Sequence, residues 1–205
     1  MGALMETLRS WLLGTLYLLP GLVIGFTVHE FMHAALADAL GDSTPRTEGR
    51  LTLNPGAHID WIGVLMFVLL GWGYAKPVNI RPRSIRGGRW GVAAVYVVGA
   101  LSNFLLAAVF YALWRVLPEG LWTGFLFYGC TCNLVQCFLN LLPIAPLDGF
   151  SLLTLVLPPK ALGFVFWMHR YVYLLLLALS LFNILDWYLG ITQTFALLLF
   201  GAVIG

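Results

Sequence analysis

Charged side chains are scarce in this sequence of 205 residues: Asp, Glu, Lys and Arg make up 10%, whereas hydrophobic residues make up 60%. A typical soluble domain carries about 25% charged and about 45–50% apolar residues. With a mean hydropathy of +0.90, the chain has too little polar surface for a water-soluble globule, so we expect one membrane domain over residues 1–205. The formal net charge of +2, with no basic stripe outside short loops, also excludes nucleic acid as a partner.

Paired cysteines, a basic leader and internal repeats are lacking too. The three cysteines, at 130, 132 and 137, do not have the paired spacing of a zinc site, and we expect them to pack as small apolar residues in a helix. The apolar run at 11–26 follows Glu6 and a single Arg9 instead of a basic cluster. It therefore predicts a retained first span and not a cleaved signal peptide.

Long apolar runs predict helices that cross a bilayer, which needs about 20 such residues. Five segments qualify: 11–37, 91–117, 121–142, 164–185 and, just long enough, 187–205. The stretch 61–73 has only 13 residues, so we expect a re-entrant or partly buried element there, with a further span as the alternative. The sequence thus predicts an α-helical multi-pass membrane protein with about five to six transmembrane segments.

A strand-like pattern lies in the connector after the first span. Residues 50–54 alternate polar and apolar side chains, which is the period of a β-strand. Residues 78–81 are the candidate partner strand. We therefore expect a short membrane-associated β element between the first and second spans.

Basic residues set the expected orientation. If 61–73 folds back, nine of the eleven Lys and Arg residues fall on one side of the membrane: Arg46, Arg50, Lys76, Arg81, Arg83, Arg86, Arg89, Lys160 and Arg170. The positive-inside rule makes that side cytoplasmic. We therefore expect a multi-pass protein of the cell (plasma or inner) membrane, with its N-terminus outside and the inner end of the first helix on the cytoplasmic side.

An H-E-x-x-H motif, His29-Glu30-Phe-Met-His33, lies near the inner end of the first span. On a helix, residues four apart lie about 40° apart around the axis, so both imidazoles share one face. Glu30 falls on the same face, and this arrangement is typical of a zinc site with two His ligands and a carboxylate base. An ionised Glu at membrane depth costs about 2.5–3.5 kcal/mol. This cost favours a shared function over polar residues that merely line a water-filled groove.

Catalytic zinc takes a third protein ligand. Asp38 lies about 180° around the helix from His29, and Asp42 follows the break at Gly41, where we expect it at the surface. The remaining candidates are Glu48, His58, Asp60, Asp148 and His169. Asp148 is favoured because it follows a helix broken by prolines in an apolar setting. The alternative is that it is only the N-cap of the next helix, and the two roles could coexist.

Together these motifs resemble the site-2 protease family of intramembrane zinc metalloproteases, over nearly the whole chain. The features that carry the resemblance occur in the family's order: the H-E-x-x-H, Asn54-Pro-Gly-Ala-His58, Ala75-Lys-Pro-Val78, Gly99-Ala-Leu-Ser-Asn103, and Asn140-Leu-Leu-Pro-Ile-Ala-Pro-Leu-Asp148-Gly149. The form resembled is the small bacterial one, without PDZ or CBS domains.

The resemblance implies one zinc ion per chain, held by His29, His33 and Asp148, with Glu30 as the general base. Asn140 matches a family asparagine that helps to place the substrate, and His58 matches a family histidine that supports the site. With Asn54, they are the three residues expected to position the substrate.

The implied activity is hydrolysis of peptide bonds within or near transmembrane segments of membrane proteins, as in regulated intramembrane proteolysis. The active site is then expected towards the cytoplasm, and the partners are a membrane-protein substrate and the lipid bilayer. We expect the strands near 50–54 and 78–81 to hold an unwound substrate by β-addition. The sequence assigns no oligomeric state.

A rival interpretation is a metal-binding membrane transporter or sensor that uses the His29/His33 pair. A transporter predicts further His and carboxylate residues along a path through the bilayer, and usually internal repeats. Outside the proposed site, the apolar segments are almost free of charge. The sequence therefore favours the protease.

Overall fold

The structure, a computed structural model, describes residues 2–70 and 73–204, and this part of the chain is all-helical. Its eight α-helices are α1 Gly2–Ala39, α2 Thr44–Thr47, α3 Trp61–Leu70, α4 Gly88–Val116, α5 Trp122–Asn140, α6 Asp148–Thr154, α7 Leu162–Leu181 and α8 Ile184–Ile204. Short 3-10 turns lie at Pro55–Ala57, Pro82–Ser84 and Pro159–Ala161.

Four helices in the described part of the chain are long and apolar enough to cross a membrane: Met5–Ala39, Gly88–Val116, Pro159–Leu181 and Ile184–Ile204. They match four of the five segments predicted from hydropathy, and the chain is a membrane protein. The fifth segment, 121–142, corresponds to α5, which is not among the helices that are long and apolar enough to cross a membrane. The total of five to six spans therefore remains a prediction.

Helix α5 packs against α1, α4 and α8. Two glycines of α1, one turn apart, allow the close approach of α1 to α5. A Cβ on Gly21 would lie 2.6 Å from the Cα of Gly129, and one on Gly25 would lie 2.4 Å from the side-chain nitrogen of Gln136. Small residues at this spacing let membrane helices pack backbone to backbone. The α1–α4–α5 unit therefore gives a rigid support to the C-terminal half of α1, which carries the H-E-x-x-H motif.

The predicted β element is wrong: residues 50–54 and 78–81 form no strand in the described chain. Residues 73–81 have no regular secondary structure, and their described backbone bonds go to side chains and to loop backbone instead of a partner strand. The buried Arg50 guanidinium donates to the carbonyl of Lys76, and the Lys76 N–H donates to the carbonyl of His58 over 2.8 Å. The alternating pattern at 50–54 thus marks a turn around a buried arginine, and β-addition of substrate loses its structural basis.

The short apolar stretch 61–73 folds back on itself in its described residues, which exclude 71 and 72. Helix α3 has 10 residues, a length of about 15 Å, or half of the bilayer core. A Cβ on Gly63 would lie 1.8 Å from the carbonyl oxygen of Tyr74, so the returning chain packs directly on α3. The bond between Lys76 and His58 brings the two flanks of the stretch together. The flanks thus meet as a re-entrant element requires, and the choice between a re-entrant element and a further span remains a prediction.

Candidate active site

Two side chains of α1 and one of α6, 115 residues further along the chain from His33, meet inside the helix bundle. The Nε2 atoms of His29 and His33 lie 3.0 Å apart, and each lies 3.1 Å from Oδ2 of Asp148. Tetrahedral zinc with bonds of about 2.0–2.1 Å requires ligand atoms about 3.3 Å apart. Both imidazoles are buried. The donor set and its dimensions therefore fit zinc, with the three residues predicted as ligands.

Asp148 is brought to the imidazoles by the tight junction between α5 and α6. A Cβ on Gly149 would lie 2.4 Å from the carbonyl oxygens of Leu141 and Leu142, so only glycine allows this packing. The alternative role of Asp148 as a helix N-cap is wrong, because Leu147 occupies the N-cap position and Asp148 is the first helical residue. The carboxylate faces the histidines instead.

Helix α4 orients both imidazoles through their Nδ1 atoms. Nδ1 of His29 lies 2.6 Å from Oδ1 of Asn103, and Nδ1 of His33 lies 2.6 Å from the carbonyl oxygen of Val95. Since both acceptors need a donated proton, each Nδ1 carries the hydrogen and each Nε2 presents its lone pair. This tautomer is the one required for metal binding through Nε2.

Asn103 on α4 and Asn133 on α5 form a buried polar cluster between the two helices, here called the polar seam. Asn103 is fully buried, and its Nδ2 donates to Oδ1 of Asn133 over 2.9 Å. Asn133 in turn donates to the carbonyl oxygens of Gly21 on α1 and Gly129 on α5. Asn103 lies in one of the motifs that carry the family resemblance, but the sequence predicted no role for it. The available signal was the cost of an amide in the middle of an apolar span.

Gly99 allows α4 to approach the histidines. A Cβ at this position would lie 2.4 Å from Nε2 of His33 and 2.7 Å from Cε1 of His29. Any larger side chain would therefore collide with both imidazole rings. Gly99 lies in one of the motifs that carry the family resemblance, but the sequence did not predict its contact with the histidines.

Glu30 is buried beside the ligands, and the backbone N–H of Val78 donates to its Oε2 over 2.8 Å. Together with His29 and Asp148, it opens onto a cleft of about 280 Å³. The other residues along the cleft are Phe26, Tyr74, Ala75, Pro77, Asn140, Pro146, Leu147 and Tyr173. The Glu30 carboxylate, two of the three potential ligands and an apolar wall thus share one cavity.

Of the three residues expected near the substrate, only Asn140 lines the cleft. Its Nδ2 donates to the carbonyl oxygen of Gln136 in its own helix, which leaves Oδ1 as an acceptor. The exposed Asn54 caps the 3-10 turn through a bond from Gly56 N–H. His58 is fully buried in the connector, with Nε2 bonded to the carbonyl of Thr52.

The two acidic residues at the end of α1 behave differently from each other. Asp38 points away from the site, as predicted, and it pairs with Arg46 over 2.6 Å. The prediction of a surface position for Asp42 is wrong, since it is 1% exposed. Burial alone would raise the pKa of its carboxyl, but bonds from Thr44 and the backbone N–H of Arg81 outweigh it and hold the pKa below its usual value. Asp42 therefore ties the end of α1 to the connector.

Comparison with known proteins identifies the family. The chain is 35% identical over 153 residues to the Bacillus subtilis (strain 168) protein named "Putative zinc metalloprotease YwhC", a match that covers 70% of each chain. This chain belongs to the site-2 protease family. A match to "Putative zinc metalloprotease Rip2" of Mycolicibacterium smegmatis has 30% identity and spans 69% of this chain and 58% of that relative. The Mycobacterium tuberculosis (strain ATCC 25618 / H37Rv) protein of the same name is 27% identical over 84% of this chain and 70% of its own.

No family model matches the chain. No solved structure matches it either. The relatives' names class this site-2 protease family member with zinc metalloproteases, and its apolar helices make it a membrane protein.

Proposed function

We propose that this site-2 protease family member is an intramembrane zinc endopeptidase, which hydrolyses peptide bonds within or near transmembrane segments of other proteins. One observation carries the proposal. Glu30, His29 and Asp148 line the same cleft, and the third potential ligand, His33, has its Nε2 3.0 Å from Nε2 of His29. Residues of α1 and α7, two helices long enough to span a membrane, line this cleft. A hydrolytic site at this position would meet substrates from the bilayer.

The residues present would hold one zinc ion through Nε2 of His29, Nε2 of His33 and Oδ2 of Asp148. Their separations of 3.0–3.1 Å support this assignment, as do the Nδ1 bonds that set the tautomers. Bound zinc would polarise the scissile carbonyl and lower the pKa of a water molecule towards about 7.

Glu30 acts as the general base in this proposal. Its carboxylate accepts a proton from the attacking water and passes it to the leaving amine. The bond from Val78 N–H to Oε2 holds the carboxylate in one orientation, which a base needs in order to meet the water at a fixed position. The low exposure of Glu30, 6%, keeps other water away from the carboxylate.

The cleft wall suits an apolar, extended substrate. Phe26, Tyr74 and Tyr173 line it, and the polar groups are confined to the catalytic end and to Asn140. A transmembrane helix satisfies its backbone bonds internally, so it must unwind locally before a carbonyl can reach the site. We propose that Oδ1 of Asn140 accepts a hydrogen bond from the unwound backbone and so positions the scissile bond.

We also propose that the active site faces the cytoplasmic side of the cell membrane and that the N-terminus lies on the opposite side. The site lies in the C-terminal part of α1, a helix of 38 residues, or about 57 Å. Exposed Arg81, Arg83 and Arg86 follow the cleft-lining segment in the connector. Their charges support a cytoplasmic position by the positive-inside rule.

The transporter or sensor alternative has less support. Within residues 2–70 and 73–204, the group His29, His33 and Asp148 is the one cluster of three potential ligands. A path for metal through the bilayer would need further sites at other depths.

The proposal is tested with purified, zinc-loaded protein in liposomes that also contain candidate single-span proteins. Mass spectrometry of the products gives the position of each cut. We expect at least one substrate to be cleaved inside or next to its apolar segment. Cleavage confined to soluble tails, or no cleavage of any candidate together with zinc uptake into the liposomes, would refute the protease proposal.

A further inference from the structure

The segment 73–78, here called the strap, has no regular secondary structure and lines the catalytic cleft. Its residues Tyr74, Ala75 and Pro77 line the cleft, and the N–H of Val78 donates to Oε2 of Glu30 over 2.8 Å. The orientation of the Glu30 carboxylate is therefore set by a loop backbone and not by the helix that carries it.

The strap is itself held at Lys76, two residues before Val78. The Lys76 carbonyl accepts a bond from Nη2 of Arg50, and the Lys76 N–H donates to the carbonyl of His58 over 2.8 Å. Two residues of extended chain span at most about 7 Å. Fixing Lys76 on both sides therefore restricts where the N–H of Val78 can lie.

Arg50 joins the two ends of the connector around this point. While Nη2 binds the carbonyl of Lys76, Nη1 donates to the carbonyl of Ala57 over 2.5 Å, next to His58. The guanidinium fork can hold two acceptors in fixed geometry, which the single ammonium group of lysine cannot. Arg50 is 6% exposed, and the carboxylates that face its charge are Glu30 and Glu48. A buried cation with this placement calls for a specific role.

His58 completes the clamp from the other side. It is fully buried, its Nε2 bonds to the carbonyl of Thr52, and its own carbonyl holds Lys76. Neither Arg50 nor His58 is among the residues that line the cleft. Both residues bind the strap at Lys76, and the strap binds Glu30 through the N–H of Val78.

We propose that Arg50 and His58 are positioning residues for the general base: they fix the strap so that the Val78 N–H holds the Glu30 carboxylate in its working orientation. This inference rests on the proposed protease function. If Arg50 acts through the Val78 N–H, the effects of substitutions at Arg50 and Val78 on catalysis depend on each other. A purely structural role of the connector does not require this dependence.

The test is a double-mutant cycle on kcat/KM in liposomes with Arg50→Gln, Val78→Pro and the double variant. Val78→Pro removes the single N–H that binds Glu30. Misplacement of a catalytic group by about 1 Å can cost about 100-fold, so we expect each single variant to lose about 10- to 100-fold, mainly in kcat. If both act through the same bond, the double variant loses no more than the worse single one. Losses that multiply would overturn the proposal.

Arg46→Gln is the matched control, because Arg46 lies in the same connector but is exposed, and its side chain pairs with Asp38. It should cleave as the wild type does, since exposed ion pairs contribute about 0–1 kcal/mol. Bound zinc should equal the wild-type amount in Arg50→Gln and Val78→Pro, because neither residue contacts a ligand. A loss of zinc in parallel with activity would assign Arg50 to the metal centre instead and contradict the positioning role.

Hydrogen exchange supplies a readout without substrate. In Arg50→Gln, the amides of Lys76 and Val78 should exchange faster than in the wild type, and unchanged exchange would overturn the clamp. If Arg50→Gln does not fold, Arg50→Lys is used with the same criteria. Failure of the protease proposal is distinguishable, because the wild type would then cleave nothing while the exchange result still decides whether Arg50 holds the strap.

Discussion

Nδ1 of His29 donates its proton to Oδ1 of Asn103, 74 residues further along the chain, over 2.6 Å. The bond connects the helix with the H-E-x-x-H motif to the polar seam between α4 and α5. It fixes both the tautomer and the ring orientation of a proposed metal ligand. A hydrogen-bond partner of this kind orients the ligand, so its loss weakens metal binding although no ligand is removed.

Asn103→Leu should therefore lower zinc affinity by about 10- to 100-fold, because Nδ1 of His29 loses its acceptor. Asn103→Asp, which keeps an oxygen at this position, should stay closer to the wild type. Competition with a zinc chelator on the purified protein measures the affinity. Ser102→Ala is the control, since the hydroxyl of Ser102 donates to the carbonyl of Gly99 in its own helix. Equal affinity of Asn103→Leu and Ser102→Ala would show that the bond to His29 has no role in metal binding.

Gly99→Ala should reduce bound zinc strongly. The added methyl group would lie 2.4 Å from Nε2 of His33 and must displace at least one imidazole. Zinc content by elemental analysis measures the effect. The matched control is Gly190→Ala in α8, where an added Cβ meets nothing within 4 Å. Full zinc occupancy in Gly99→Ala would mean that α4 does not approach the histidines as described.

Packing of α1 on α5 should be sensitive to the volume at Gly21. A Cβ there would lie 2.6 Å from the backbone of Gly129, so Gly21→Ala should lower the free energy of unfolding by about 1–3 kcal/mol through overpacking. Denaturant titration in detergent measures the change. Gly163→Ala, where a Cβ meets nothing within 4 Å, should leave stability nearly unchanged. A Gly21→Ala variant as stable as Gly163→Ala would contradict this helix contact.

Stability should depend on pH through His58. Burial lowers the pKa of its imidazole below the ordinary value of 6.5, the bond to the Thr52 carbonyl opposes this effect, and the charge of Arg50 adds to it. The unfolded chain therefore binds the proton at a higher pH than the folded chain does. The free energy of unfolding should fall as the pH drops below about 6.5.

The thermal unfolding midpoint, measured above and below that pH, gives this dependence. In His58→Gln the fall towards acid should be smaller than in the wild type. The other three histidines are the same in both proteins, so the difference between the two curves reports His58. Parallel curves would show that the pKa of His58 is the same in the folded and unfolded states.

Local periodicity predicted the part of the site that lies on one helix. The i, i+4 spacing placed His29 and His33 on one face, and the structure has their Nε2 atoms 3.0 Å apart. Asp148 lies 115 residues from His33, so no local pattern could place it. Its role as a ligand candidate came from the polar residue in an apolar setting and from the family resemblance. The contact itself depends on the close packing that Gly149 permits.

The connector was predicted less well, because a buried charge overrides the local pattern there. Alternation at 50–54 indicated a strand. The chain forms a turn there instead, and the guanidinium of Arg50 binds the backbone carbonyls of Ala57 and Lys76. The break at Gly41 indicated a surface position for Asp42. The chain turns inward after it, and the carboxylate binds the backbone N–H groups of Thr44 and Arg81. Hydrogen bonds between side chains and a distant backbone leave no periodic signal in the sequence.

The central claim is that Glu30 is the base of a zinc-dependent hydrolytic site. The most direct measurement compares cleavage of one single-span membrane protein by the wild type and by Glu30→Gln in liposomes, with the zinc content of both proteins determined on the same samples. The account predicts equal zinc, because Glu30 is not a ligand, and no detectable cleavage by the variant. Cleavage by zinc-loaded Glu30→Gln at the wild-type rate would contradict it.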